Sequence, residues 1–126
     1  MAEQLAELNK GDTLENYTED ERVVGTYLGK PLYQITLKQS GTITNRVNIL
    51  GTQMSALNIK KAFKKNVIYD VAYNGTPLGT RGEYWAGTSD YLQSILDVNS
   101  FFPMFAGTGN TYSNLELTIQ YIKTTD

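Results

Sequence analysis

The residues best suited to chemistry gather in one turn-rich stretch, where Tyr84 and Trp85 are followed by Thr88, Ser89, Asp90 and Tyr91. Sugar rings present apolar faces that stack on aromatic planes and hydroxyls that need polar partners. Tyr84, Trp85, Asp90 and Tyr91 are therefore candidate glycan- or receptor-binding residues. The competing reading makes Trp85, the single tryptophan, an anchor of the core or of a subunit interface. Asp90 with Asp97, or Glu83 with Asp90, could supply the two carboxylates that glycoside cleavage needs within roughly 5–10 Å. Spacing alone selects no such pair among the 13 acids, and the expectation is a protein without catalytic residues.

Composition narrows the chemistry further. The 126 residues include no cysteine and no histidine. Disulfides, thiolate metal sites, histidine-based metal sites and the usual catalytic triads are thereby excluded. No metal or cofactor is expected. Gly107-Thr108-Gly109 is not followed by the helix that a phosphate-binding loop requires. The net charge is −2, but seven of the 13 acids lie between Met1 and Glu21, where Lys10 is the only cation. Lys60, Lys61, Lys64 and Lys65 form the opposite cluster, which reads as a solvated face or as a patch for an acidic partner. Without interleaved aromatics beyond Phe63 it does not amount to a nucleic-acid site. No apolar run approaches a membrane span and the first residues carry no signal-peptide pattern, so membrane insertion is not expected. The expected product is made and used as a soluble cytoplasmic protein, or is exported by a route that needs no cleavable signal, such as host lysis.

The elements that would position these residues are strands. Glu21–Lys38 reads as a β-hairpin about Gly29-Lys30-Pro31, with Tyr33, Ile35 and Leu37 on one face. Leu115, Leu117, Ile119 and Tyr121 alternate in the same way near the other end, and the two ends are expected to meet in one sheet. Between them, Ser40-Gly41 reads as a turn, Thr42–Leu50 as an imperfect strand, and Met54–Lys65 as a short helix or an extended crossover. Asn66–Tyr73 is the clearest internal strand, followed by a turn region through Gly82, a short strand at 83–86 and a strand at 91–98. Phe101–Phe105 reads as an apolar knot around Pro103, and 106–114 as a loop. Seven or eight short strands at intervals near ten residues imply an all-β fold, an antiparallel β-sandwich or barrel, and the architecture expected over 21–126 is a jelly-roll-like β-sandwich. Residues 1–20 are expected to be a short acidic arm or linker, in which Leu5 and Leu8 sit at helical spacing in a segment that either frays or docks on a neighbouring subunit. Leu5, Leu8, Phe101, Phe102 and Phe105 are candidate subunit-interface residues, with burial of the phenylalanines in the monomer's own core as the alternative.

Both ends of the chain also carry a resemblance. Tyr17-Thr18-Glu19-Asp20-Glu21-Arg22-Val23-Val24-Gly25-Thr26-Tyr27, then Gly29-Lys30-Pro31-Leu32-Tyr33, resembles the opening of a small β-domain found at the C-termini of bacteriophage tail-fibre, baseplate and head-fibre proteins. That opening typically reads as an acidic stretch, then VVGTW-x-x-GKP, a hydrophobic residue and tyrosine. Leu117–Asp126, LTIQYIKTTD, is similar to the same family's closing strand. Tyr27 stands in place of the family's tryptophan, and one residue fewer precedes Gly29, so the turn should be tighter. The resemblance implies a non-enzymatic structural module of a virion, commonly a symmetric oligomer and often a trimer. Its partners would be other virion proteins and, at the host surface, a cell-surface glycan. A start methionine, Met1, lying only a short way before the motif fits a small virion protein held by its acidic arm, or a cut-out domain. The alternative of a different class is a stand-alone carbohydrate-binding module using Tyr84, Trp85 and Tyr91.

Overall fold

The structure, a computed structural model, describes residues 20–126. Its strands are β1 (Arg22–Tyr27), β2 (Lys30–Thr42), β3 (Ile59–Tyr73), β4 (Thr76–Gly82), β5 (Tyr84–Gly87), β6 (Asp90–Leu96), β7 (Phe101–Ala106) and β8 (Asn110–Lys123), with one short helix, α1 (Gly51–Ser55). They form two packed antiparallel sheets, ordered β1-β2-β8-β3-β4 and β5-β6-β7. This is the expected all-β sandwich. The expected meeting of the two ends is also present: β2 and β8 pair with Tyr33 opposite Tyr121, Ile35 opposite Ile119 and Leu37 opposite Leu117.

Period-two patterning explains why β8 is central. Leu115, Leu117, Ile119 and Tyr121 are all buried, because both neighbouring strands and the second sheet cover them. The small sheet answers with Leu92 and Phe101, also fully buried. Tyr112 joins the layers, with its ring edge-on to Phe105 at 4.9 Å and to Tyr69 at 5.8 Å. Leu50 and Met54 around α1 complete the same core. The first hairpin turns on Leu28 and Gly29, with φ of 52° and 77°. Two consecutive left-handed residues make the tight type I′ connection whose twist suits a two-residue hairpin, in keeping with the shortened motif.

Several local expectations are corrected. Ser40-Gly41 lies within β2, at a register slip between Gln39 and Thr42, where Gly41 takes a φ of 83°. The chain thus bulges there instead of turning. Residues 43–50 are not a strand. Asn45 exchanges side-chain bonds with both backbone groups of Phe105, and Asn48 accepts from the Phe101 N–H. Amide side chains stand in for ladder positions along β7, and a regular strand gives way. Met54–Lys65 divides into the end of α1 and the first half of β3. The lysines fit a strand because β3 bulges three times against β8, including between Lys64 and Asn66. Thr76–Gly82 is a fully exposed edge strand, where Pro77 is tolerated. Phe101–Phe105 is strand β7, and β8 already begins at Asn110. Leu5, Leu8 and all of the arm before Asp20 lie outside the described residues.

Two substitutions test the core in opposite directions. Leu117→Ala should destabilise the protein by about 2–5 kcal/mol in urea unfolding. The hydroxyl of Tyr69, a fully buried residue, has no hydrogen-bond partner among the described residues. Tyr69→Phe should therefore stabilise by about 1 kcal/mol. Burial is also the leading cause that raises the Tyr69, Tyr84 and Tyr121 phenols well above the usual tyrosine value. The unfolded chain loses these protons near pH 10, roughly, while the folded chain retains them. Their contribution to stability is present below that pH and lost above it. A urea midpoint followed through alkaline pH should be level up to about 9 and fall beyond 10.

Candidate functional site

The turn-rich aromatic stretch becomes the β5-β6 hairpin, in which Trp85 opposes Tyr91 and Tyr84 opposes Leu92. Alternation splits the four candidate residues between two faces. Trp85 and Tyr91 lie on the outer face, their rings stacked at 4.9 Å with an interplanar angle of 25°. Trp85 is 61% exposed, which overturns its reading as a core anchor. Tyr84 instead packs toward the core. Its hydroxyl donates to Asp90 Oδ1 and lies 3.5 Å from the Tyr112 hydroxyl, while the Arg81 guanidinium sits 4.6 Å from its ring centroid. Burial first, then the bonds to Asp90 and Tyr112, raise the Tyr84 phenol. Tyr84 thus ties the hairpin to the exposed Asp90 at its end, leaving Trp85 and Tyr91 on the outer face.

Register extends this outer face across the sheet. Gln93 opposes Met104, and Ile95 opposes Phe102. Trp85, Thr88, Tyr91, Gln93 and Met104 line an open cleft of about 280 Å³. Gln93 Nε2 donates to the Tyr84 carbonyl at 3.0 Å, which holds its amide beside the stacked rings. Arg46 reaches one of these lining residues, its Nη2 donating to the Tyr91 hydroxyl at 2.8 Å. The loop carrying Arg46 is fixed to β7 by the Arg46 N–H to Pro103 carbonyl bond of 2.7 Å. Arg46 itself takes a left-handed φ of 61°, a conformation uncommon outside glycine.

The candidate interface residues also separate. Phe101 is fully buried and Phe105 packs against the same core, so these two serve the monomer. The reason is again alternation: they share the inner face of β7 with Pro103, whereas Phe102 and Met104 project outward. Glu83 and Asp90, one of the acid pairs weighed for glycoside cleavage, have separate partners. Lys64 Nζ lies 3.0 Å from Glu83 Oε1 and from the Ser94 carbonyl. Ser94 also donates its hydroxyl to Glu83. This cluster ties β3 to the small sheet. Among the described residues there is no cluster of potential metal ligands and no helix long and apolar enough to cross a membrane.

Gln93, Met104 and Arg46 were not singled out in the sequence. Period-two alternation would have placed Gln93 and Met104 beside Tyr91 once 101–105 was read as a strand. Arg46 carried no local signal, since its position depends on contacts to β7, a strand much later in the chain. Comparison of the chain with protein-family models, curated proteins and solved structures found no match.

Because Trp85 is exposed, Trp85→Ala should change stability by no more than about 1 kcal/mol. The tryptophan emission of the native protein should be quenched by acrylamide nearly as effectively as that of the urea-unfolded chain. Strong protection in the native state would return Trp85 to a buried role.

Proposed function

We propose that this chain is a non-enzymatic structural module of a bacteriophage particle, a component of a tail fibre, head fibre or baseplate, acting in assembly and in attachment to the host surface. The reading is carried by one observation. The two terminal segments that resemble the phage β-domain, far apart in sequence, lie on adjoining strands, with β2 and β8 in continuous register from Tyr33–Tyr121 to Gln39–Leu115. Side chains reinforce that junction: Tyr33 stacks on Tyr121 at 5.7 Å, the Tyr121 hydroxyl donates to Glu21, and Lys123 pairs with Glu21 at 2.7 Å. The module is a homotrimer in the particle, beside other virion proteins, and is made in the bacterial cytoplasm before assembly. Its outer aromatic face is the attachment surface.

A second reading, a free carbohydrate-binding module, is favoured by the exposure of Trp85 and uses the same cleft. The two differ in subunit number and location. Light scattering on the purified protein should return three times the mass of a single chain, and mass spectrometry of gradient-purified particles should detect the chain. A monomer at every concentration, absent from particles, would overturn the virion reading in favour of the free module.

A further inference from the structure

We propose that the cleft on the outer face of the three-stranded sheet binds a carboxylated pyranose, a sugar of the hexuronic-acid type, with its ring against Trp85 and its carboxylate on Arg46. The proposal builds on the attachment role given above and names the ligand of that surface. Four observations carry it. The first is the platform: Trp85 keeps most of its surface in water and is held in a stack with Tyr91, so a flat apolar face is preformed. The C–H face of a pyranose is the complementary surface, and a rigid platform reduces the entropy lost on binding.

The second is size. At about 280 Å³ the cleft is just under the roughly 300–1,000 Å³ that holds drug-sized ligands, which suits one sugar ring. The third is its polar equipment. Thr88 and Gln93 share the cleft with the rings. One amide hydrogen of Gln93 is committed to the Tyr84 carbonyl, and the side-chain oxygen is an acceptor for a sugar hydroxyl. A larger cleft beside Val23, Leu32 and Lys65, about 350 Å³, has no aromatic platform and lacks this combination.

The fourth is charge, and it separates an acidic sugar from a neutral one. Among the described residues, no aspartate or glutamate lines the cleft, and the nearby Asp90 carboxylate accepts the Tyr84 hydroxyl on the opposite face. Arg46 is bound to the cleft's Tyr91, with one guanidinium N–H on the Tyr91 hydroxyl. A guanidinium has five such donors, and a carboxylate matches its fork in two parallel bonds. The Arg46 backbone is pinned to Pro103 in a left-handed turn, so the charge is held beside the stack. A carboxylate on the stacked ring would meet Arg46 with no competing acid in the cleft.

The single tryptophan gives a single indole N–H signal, which makes the test direct. The full chain, labelled with nitrogen-15, is titrated with methyl β-glucuronide and separately with methyl β-glucoside. Both sugars should shift the Trp85 indole signal, with the glucuronide binding about tenfold more tightly, as expected for a charge-assisted bond. That preference should shrink in about 0.5 M salt, where exposed charges are screened. Arg46→Gln should abolish the preference, bringing the glucuronide affinity down to that of the glucoside for the same variant. Trp85→Ala, followed through the Gln93 side-chain amide, should lose both sugars while the remaining spectrum stays in place. An indole unmoved by either sugar, equal affinity for the two, or a preference that survives Arg46→Gln would overturn the proposal. Such a failure would leave the virion reading intact, since chain mass and presence in particles involve no sugar.

Discussion

The whole sandwich hangs on β8, whose residues are paired on both sides and covered from above. Leu115, Leu117, Ile119 and Tyr121 supply the buried row against which β2 and β3 align. Burying an aliphatic side chain of this kind is worth about 1.5–3 kcal/mol, and a shift of one residue would turn the entire row to the wrong face. The register with β2 is strict over seven consecutive pairs, whereas the register with β3 slips three times. One side of β8 therefore fixes the alignment, while the other accommodates the lysine-rich half of β3 and adds twist to the sheet. The small sheet then packs on the surface so formed, through Leu92, Phe101 and Phe105 against Tyr112.

Much of this was legible in the chain because it rests on short-period patterning. Tyr33, Ile35 and Leu37 against Leu117, Ile119 and Tyr121 give the pairing of the ends directly, and Val67, Tyr69 and Val71 give the core row of β3. What was not legible depends on partners distant in sequence. Gly41 reads as a turn until the Asn114 side chain, which accepts from its N–H at 3.0 Å, is placed beside it. Thr42–Leu50 has strand-like composition, yet Asn45 and Asn48 satisfy β7 with side chains and remove the need for a ladder. Residues 101–105 looked irregular because of Pro103, although an edge strand accepts a proline that a central one would not.

The candidate site shows the same division. Clustering of aromatics and hydrogen-bonding residues drew attention to Tyr84, Trp85, Asp90 and Tyr91, and all four are indeed neighbours in one hairpin. Alternation then assigned them different roles. Tyr84 packs toward the core and bonds the exposed Asp90 at the hairpin's end, and Trp85 and Tyr91 share the outer face. Their new companions, Gln93 and Met104, come from register across β6 and β7, and Arg46 from a loop anchored to β7. The Lys64–Glu83–Ser94 cluster uses charge for a mechanical purpose, joining the two layers at the side where β3 passes β5 and β6.

The two asparagines that cap β7 have a topological consequence. A bare strand margin invites another polypeptide to dock along it and extend the sheet indefinitely. Here the backbone groups of Phe105 and the N–H of Phe101 are already spoken for by Asn45 and Asn48, and the carbonyls of Phe101 and Pro103 by the N–H groups of Ile49 and Arg46. Lateral growth at that margin is closed. A strand added to the β5-β6-β7 layer would find no free row of backbone partners along β7 at these positions.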